Sequence, residues 1–179
     1  MIGILETERL LLRAPMESDT EEMLAIRNSA FVQEFNAMKI IDAEKMRGQI
    51  VRDIEHQTAF YIVRKADDKL IGGIWMEDDN ARYDVKSRYL SYYLGEPYAR
   101  KGYMKEALGA VIGMLFECDP ELEVVASSVF SENMASERLL WSLGFTREGC
   151  IRKAVRDARG KVHDDVQFSL LREEWEWIR

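Results

Sequence analysis

The sequence predicts a mixed α/β fold of about seven strands and about four helices. Three strand-like runs between residues 58 and 95 are separated only by short polar segments, which is typical of an antiparallel meander. After Pro97 the apolar residues change to a helical period. The order strand, helix, strand, helix that follows indicates a right-handed crossover between neighbouring strands.

The first half contains one strand and two helices ahead of the meander. The run ETERLLLRA is β-compatible, and in MESDTEEM Ser18 or Asp19 is placed to cap a helix that ends near Asn28. A second helix is expected over Ala43 to Glu55, because apolar side chains recur there at helical spacing. The meander strands are TAFYIVRKA, KLIGGIWMED and SRYLSYYLG.

The second half begins with the clearest helix of the chain. Its buried stripe consists of Met104, Ala107, Leu108, Val111, Ile112 and Leu115. VVASSVF at 124–130 indicates a strand buried on both faces. Asn133 is placed to cap the next helix, which Gly144 and Phe145 should end. Strands at about 145–155 and 163–171 and the helical tail REEWEW complete one predicted domain over residues 1–179.

Composition limits the classes of function. With 179 residues, 47% hydrophobic and 32% charged, the chain can bury a sizeable core. It has no apolar run of about 18 residues, so we expect a cytoplasmic protein without a membrane partner. The net charge of -7 argues against nucleic-acid binding. Cys118 and Cys150 lack the spacing of metal ligands, and we expect no metal and no disulfide.

The turn YARKGYM, directly before the periodic helix, has the chemistry of an anion site. The first N–H groups of a helix lack partners within the helix, and the positive end of the helix dipole lies there. Gly102 allows close backbone approach to a phosphate, while Arg100 and Lys101 add positive charge. The turn lacks the P-loop and GxGxxG patterns, and a basic, glycine-containing turn before a helix is by itself more often an ordinary turn than a phosphate site.

Four segments in order identify a family resemblance. They are ETERLLLR, YLSYYLGEPYARKGYMKEAL, SENMASERLLWSLGFTREG and DVQFSLLREEW, and together they extend over nearly the whole chain. The chain resembles the GNAT superfamily of acyl-CoA-dependent N-acetyltransferases, within it the ribosomal-protein (RimJ/RimL-like) branch. The resemblance implies a GNAT fold whose central sheet is splayed between the fourth and fifth strands, with acetyl-CoA as cosubstrate.

The resemblance also assigns residues to the coenzyme. The family's diphosphate loop, Q/R-x-x-G-x-G/A, falls on residues 99–104, where Ala99 and Met104 depart from the pattern. The pantetheine arm is expected to pair with the edge of the YLSYYLG strand, and an Asn and a Ser one helical turn apart are expected at the thiol end. The implied coenzyme residues are Tyr92, Leu94, Arg100, Lys101, Gly102, Tyr103, Met104, Asn133 and Ser136.

The implied chemistry is direct attack of an amine on the thioester within a ternary complex. Backbone N–H groups near Tyr93 and Leu94 are expected to stabilise the oxyanion. The Tyr that protonates the leaving thiolate in many relatives is Leu140 here, so Ser136 is the substitute candidate. The strands SRYLSYY and VVASSVF contain no carboxylate. Glu148, His163 (expected as a surface residue at a strand end) and water remain as candidates for the base.

Three functions stay open from the sequence. The branch resemblance favours acetylation of a protein N-terminal α-amine. A polyamine, amino sugar or antibiotic is an alternative acceptor, and a non-catalytic acyl-CoA-binding protein is compatible with the missing Tyr and Glu. A covalent acyl-cysteine route is not expected, because neither cysteine has surroundings that would activate its thiol. Members of the family are often dimers, so a homodimer is open as well.

Overall fold

A computed structural model describes residues 3–178, which contain eight β-strands and six α-helices. The strands are β1 Leu5–Glu6, β2 Leu10–Arg13, β3 Ala59–Arg64, β4 Lys69–Asp78, β5 Ser87–Leu94, β6 Val124–Phe130, β7 Thr146–Arg156 and β8 Val162–Leu171. The helices are α1 Thr20–Arg27, α2 Ala30–Glu34, α3 Ala43–His56, α4 Tyr103–Cys118, α5 Met134–Ser142 and α6 Arg172–Ile178. The strand order is β1-β2-β3-β4-β5-β6-β8-β7, and the predicted mixed α/β fold is confirmed.

The structure has more elements than the predicted seven strands and four helices. The additional elements are short, and sequence periodicity does not detect them. The predicted N-terminal strand is two strands, because the chain turns at Thr7, whose N–H donates to Leu10 O at 3.0 Å. The five-residue helix α2 was not predicted. Its signal is Ser29, whose side chain accepts a hydrogen bond from Val32 N and so caps the helix.

The predicted cap of α1 is confirmed in position, since Asp19 is the N-cap residue, but not in its hydrogen bonding. Neither Ser18 nor Asp19 caps this helix through its side chain. Asp19 is buried instead, forms a salt bridge of 2.7 Å with Arg13 and accepts a hydrogen bond from Met16 N. A buried carboxylate next to a guanidinium gains more from that pair than from a solvated helix end, so the ion pair fixes its position.

The other helix signals are confirmed. Asn133 Oδ1 accepts a hydrogen bond from Ser136 N at 3.1 Å at the start of α5. After the helix, Gly144 has φ 90°, and the Phe145 N–H donates to Leu140 O at 3.1 Å, as expected for a Schellman motif. The predicted burial of β6 is also confirmed, since six of its seven residues are buried.

The chain divides into two compact units. The first contains residues up to 75 together with Tyr92–Ala110, and the second contains Met76–Ser91 and the residues from 111 onward. Strands β4 and β5 and helix α4 each contribute residues to both units.

The first unit packs α1 and α3 against β3 and β4. Its core cluster consists of Met23, Met46, Ile50, Ala59, Tyr61, Val63 and Leu70. The pairing of β3 with β4 shifts register between Ile62 and Val63. Next to this shift, Gly72 of β4 lies so close to β5 that a Cβ atom would stand 2.2 Å from Tyr93 O and 2.9 Å from Leu94 Cα. Only glycine allows this approach.

The second unit contains the parallel pair of the sheet. β5 and β6 pair through Ser87↔Val124, Arg88↔Val125 and Tyr89↔Ala126. These two strands correspond to the fourth and fifth strands predicted from the sequence. Their backbone pairing ends at Tyr89, although β5 continues to Leu94. β8 pairs with all seven residues of β6, and β7 pairs with the other side of β8.

We predict that Gly72→Ala destabilises the protein by about 2 kcal/mol or more, because the new methyl group overlaps backbone atoms that cannot move independently. Chemical denaturation monitored by circular dichroism measures the change in the free energy of unfolding. Gly149→Ala in β7 is the control, since a Cβ there meets nothing within 4 Å and should change stability by less than about 0.5 kcal/mol. Equal stabilities of the two variants would contradict the close approach.

Candidate active site

The turn before α4 presents a row of backbone donors. Arg100 and Gly102 have positive φ angles of 59° and 80°, so the chain curls before the helix begins at Tyr103. The first helical hydrogen bond is Glu106 N–H to Gly102 O at 3.1 Å. Within residues 3–178 no acceptor is found for the N–H groups of residues 102–105, whereas Ala99 and Arg100 form a hydrogen-bonded turn that engages the Lys101 N–H. Such a concave row of donors, next to two cationic side chains, is suited to a phosphate group.

Arg9 stabilises the turn before α4 through contacts with several of its residues. Its Nη1 donates to Lys101 O at 2.9 Å, its Nε donates to Glu106 Oε2 at 2.6 Å, and its guanidinium stacks on the Tyr103 ring at 4.6 Å. Its backbone N–H also donates to Glu106 Oε1. One side chain therefore ties the N-terminal segment to both the turn and the first turn of α4.

Glu106 keeps its charge at this position. Its burial would raise the pKa, but hydrogen bonds from the Thr7 hydroxyl and from the backbone and side chain of Arg9 lower it below the ordinary value. Glu106 is thereby neutralised locally by Arg9, and Arg100 and Lys101 form no ion pair with any residue in the range 3–178. Arg9 lies within the segment ETERLLLR, but its role cannot be recognised from the sequence alone.

The β5 residues that the sequence assigned to the coenzyme and the oxyanion lie in the first unit. Tyr93 stacks on Trp75 with ring centroids 4.6 Å apart, and its hydroxyl contacts Met23 Sδ at 3.5 Å. Burial raises the pKa of this phenol, so Tyr93 stays neutral at every physiological pH. Its side chain is a packing element of this unit. Tyr92 is half-buried and Leu94 is buried.

Asn133 and Ser136 lie at the start of α5 in the second unit. Both are half-buried. The cap uses Asn133 Oδ1 and leaves its Nδ2 amide, which has no acceptor in the described part of the chain. Leu140, which stands where many relatives have a Tyr, is buried at 1% exposure, so α5 supplies no phenol at that position.

Glu148 is engaged in ordinary surface pairing. Its Oε1 accepts hydrogen bonds from Arg82 Nη2 at 2.7 Å and from Ser169 Oγ at 2.7 Å. Two donors occupy this one carboxylate oxygen, so Glu148 is held in a structural contact with Arg82 and Ser169. Glu148 is therefore a poor candidate for the base.

His163 is not the surface residue that the sequence suggested. It is 2% exposed, its ring stacks on Phe130 at 4.4 Å, and its two nitrogens lie 3.2 Å from Glu132 and 3.3 Å from Asp157. The register of β8 turns its side chain inward, which a single sequence does not reveal. With both nitrogens engaged by carboxylates, the ring serves as a structural link.

A hydroxyl pair joins β5 to β6 in the second unit. Tyr89 Oη lies 2.6 Å from Ser128 Oγ. The neighbouring Ser127 is buried and donates its hydroxyl to Leu90 O at 2.9 Å. These contacts lie where the backbone pairing of the two strands ends, and sequence reasoning did not detect them.

Cys118 and Cys150 are free and exposed. Among residues 3–178, no three His, Cys, Asp or Glu side chains are grouped so that they could bind a metal ion. The helices in this range include none with the length and apolar character needed to cross a membrane.

The family profile described as "Acetyltransferase (GNAT) domain" matches residues 9–146. The prophage-derived uncharacterized N-acetyltransferase YokL of Bacillus subtilis is 32% identical over 136 residues, covering 75% of this chain and 73% of the relative. The uncharacterized N-acetyltransferase p20 of Bacillus licheniformis is 31% identical over 180 residues, covering 96% and 97% of the two chains.

Solved structures share the fold. A GNAT acetyltransferase from Bacillus anthracis has a TM-score of 0.84 at 20% identity, over 96% of this chain and 99% of the other. The ribosomal-protein-S5-alanine acetyltransferase of Vibrio fischeri has a TM-score of 0.82 at 22% identity, over 97% and 99%. RimL, a ribosomal L7/L12 α-N-protein acetyltransferase solved with coenzyme A, has a TM-score of 0.79 at 20% identity, over 94% and 98%. At these identities the likeness concerns the fold.

The contact of Glu132 with the buried His163 is expected to stabilise the fold in a way that is lost in acid. The hydrogen bond from His163, and then that from Lys161, lowers the pKa of Glu132 to about 2, below its value of about 4.3 in an unfolded chain. The stabilisation is thus present above about pH 4.3 and is lost as the pH falls toward 2.

We expect the melting temperature of native protein to exceed that of Glu132→Gln at pH 6, and the difference to shrink on acidification to pH 3. Thermal unfolding at several pH values measures it. The exposed Glu55→Gln substitution should show no such trend. A difference that stays constant from pH 6 to pH 3 would refute the role of Glu132.

Proposed function

Because the chain belongs to the GNAT acetyltransferase family, we propose that it transfers an acetyl group from acetyl-CoA to a primary amine. The observation that carries this proposal is the turn before α4, where the N–H groups of residues 102–105 lack acceptors within the described chain and lie next to the cations Arg100 and Lys101. The family profile extends over parts of both units, and we propose that the two units act as one acetyltransferase domain over residues 1–179.

The turn is proposed to hold the coenzyme's diphosphate. The backbone donors and the dipole of the 16-residue helix α4 supply partial positive charge, and Arg100 and Lys101 supply full charges. Arg9 fixes the turn before the ligand arrives, which reduces the entropy lost on binding. The ring of Tyr103, stacked under Arg9, and the first-turn backbone of Met104 belong to the same braced segment.

The remaining coenzyme contacts follow the family. Tyr92 and Leu94 are proposed to pair with the pantetheine arm through their backbone groups, in the manner of an added strand. Asn133 and Ser136 are proposed to contact the thiol end. The unused Nδ2 amide of Asn133 is available for such a contact while Oδ1 caps α5.

The proposed chemistry is direct attack in a ternary complex. An α-ammonium group has a pKa of about 8 and must lose a proton before its nitrogen attacks the thioester carbonyl. The oxyanion then formed is proposed to accept hydrogen bonds from backbone N–H groups near Tyr93 and Leu94. As the C–S bond breaks, the thiolate takes a proton, and Ser136 is the proposed donor because Leu140 carries no hydroxyl.

We propose a protein N-terminal α-amine as the acceptor and membership of the RimJ/RimL-like branch. The support is the shared fold with enzymes described as acetylating ribosomal proteins. A cytoplasmic location is proposed because both cysteines are exposed and free, which suits a reducing compartment.

We predict that Gly102→Glu abolishes the binding of acetyl-CoA, since the carboxylate repels the diphosphate and obstructs the turn. Calorimetric titration should give a dissociation constant near micromolar, about -8 kcal/mol, for native protein, and at least about 100-fold weaker binding for the variant. Gly160→Glu is the matched control. It also replaces a glycine with positive φ, 88° against 80°, and so carries similar backbone strain.

Gly160→Glu should bind acetyl-CoA as the native protein does. If both variants lose binding equally, backbone strain explains the loss and the diphosphate site is refuted. If the native protein binds no acetyl-CoA, the proposed function fails.

Asn133→Asp separates helix capping from coenzyme contact. Aspartate keeps the side-chain oxygen that accepts from Ser136 N and so preserves the cap, but it removes the amide donor and adds a negative charge. We predict an unchanged melting temperature and at least about 5-fold weaker binding of acetyl-CoA, about 1 kcal/mol for one lost hydrogen bond. Unchanged binding would assign Asn133 to the cap alone.

A further inference from the structure

The proposed chemistry lacks a base, and β8 supplies a carboxylate that sequence reasoning did not consider. Asp165 lies on β8 opposite Phe130 of β6, and Gln167, two residues on, lies opposite Ser128. In an antiparallel pair, residues two apart on a strand share a face, and a diagonal neighbour is within reach of a side chain. Ser128, Gln167 and Asp165 therefore share one face of the β6–β8 pair.

The contacts on this face form a connected chain. Tyr89 Oη lies 2.6 Å from Ser128 Oγ, the Ser128 side chain hydrogen-bonds to Asp165, and Gln167 Nε2 donates to Asp165 Oδ2 at 2.7 Å. A carboxylate only accepts, so Ser128 gives its single proton to Asp165. The Tyr89 hydroxyl must then donate to Ser128. This direction leaves a lone pair on Tyr89 Oη that can accept a proton from another group.

The surroundings of Asp165, at the end of this chain of hydrogen bonds, favour proton uptake by its carboxylate. Burial raises the pKa of Asp165, while the hydrogen bonds from Ser128 and Gln167 oppose the rise. Burial likewise raises the pKa of Tyr89, so the phenol relays a proton without becoming a stable phenolate. The other charged group that acts on Tyr89 is Glu77 of β4, and on β7 the residue opposite Asp165 is the apolar Ile151. No cation in these contacts holds Asp165 in its charged form, within the described residues.

We propose that Tyr89, Ser128 and Asp165 form a proton-transfer chain that deprotonates the acceptor ammonium group before it attacks the thioester. This inference rests on the proposed acetyltransferase function and adds its base. Tyr89 is the group that contacts the amine, and Ser128 and Asp165 act through it. Tyr89 is also the last β5 residue paired with β6, three residues before Tyr92, which is proposed to hold pantetheine.

The proton balance is simple. An ammonium proton passes to Tyr89 Oη while the phenolic proton passes to Ser128 Oγ and the Ser128 proton passes to Asp165. Both hydroxyl groups are neutral again afterwards, the amine is free to attack, and Asp165 is protonated. After the attack, the nitrogen of the tetrahedral intermediate carries one proton more than the amide product. As the C–S bond breaks, that proton passes to Ser136 while the Ser136 proton passes to the thiolate, so Ser136 is neutral again. Asp165 then returns its own proton to solvent, and the chain is reset.

The experiment is a pH profile of acetyl transfer to a peptide with a free N-terminal alanine, followed through release of the coenzyme thiol. Native protein is compared with Tyr89→Phe, Ser128→Ala and Asp165→Asn from pH 6.5 to 9.5. We expect kcat/KM to fall by about 100-fold at pH 6.5, a typical loss for a missing base. Above the amine pKa of about 8 the acceptor arrives deprotonated, so the loss should shrink to less than about 5-fold at pH 9.5.

Two controls separate this role from a structural one. Tyr83→Phe removes a hydroxyl from a fully exposed tyrosine, and Asp164→Asn changes the carboxylate that points to the opposite face of β8; both should keep the native profile. The Tyr89→Phe, Asp165→Asn double variant should lose no more activity than the worse single variant, because residues that act as one unit are not additive. Acetyl-CoA affinity should stay native in all of them.

The possible failures are distinct. Suppose that the native protein acetylates the peptide but the variants lose no activity, or lose the same fraction at every pH. The proton-transfer chain is then refuted, and the proposed function stands. If native protein acetylates neither the peptide nor spermidine nor glucosamine, the proposed function falls and this inference falls with it.

Discussion

The contact between Arg9 and Glu106 is the interaction on which the candidate site depends. It joins residues 97 apart in sequence, and the same guanidinium also holds the Lys101 carbonyl and covers the Tyr103 ring. Arg64 of β3 adds a second contact from outside this segment, since its guanidinium stacks on the Tyr98 ring at 5.0 Å and hydrogen-bonds to the Tyr103 side chain. An anion site made of backbone donors works only if the donors are fixed before the anion arrives.

A second constraint acts on β5. In the first unit Gly72 lets β4 approach the Tyr93 and Leu94 backbone closely, and the Tyr93 ring is held against Trp75. In the second unit the backbone pairing of β5 with β6 ends at Tyr89, and hydroxyl groups take over. The strand is thus rigid where the proposed coenzyme pairs with it and polar where the proposed chemistry needs a route for a proton.

Sequence patterns predicted what depends on local chemistry. The stripe from Met104 to Leu115 gave α4, Asn133 gave the start of α5, and Gly144 with Phe145 gave its end. The Arg9 brace, the burial of His163 and the Tyr89–Ser128 contact were missed, because each depends on which strands are neighbours and in what register. A single sequence contains that information only indirectly. Resemblance to a family supplied the loop and the coenzyme, but it assigned no base.

The turn before α4 is proposed to bind the coenzyme through its backbone N–H groups. The most direct test is to follow the assigned amide resonances of isotopically labelled native protein by nuclear magnetic resonance while coenzyme A is added. We predict that the amides of residues 100–105 shift most strongly and saturate together. Binding of coenzyme A that leaves these six amides unchanged while others move, or no binding at all, would contradict it.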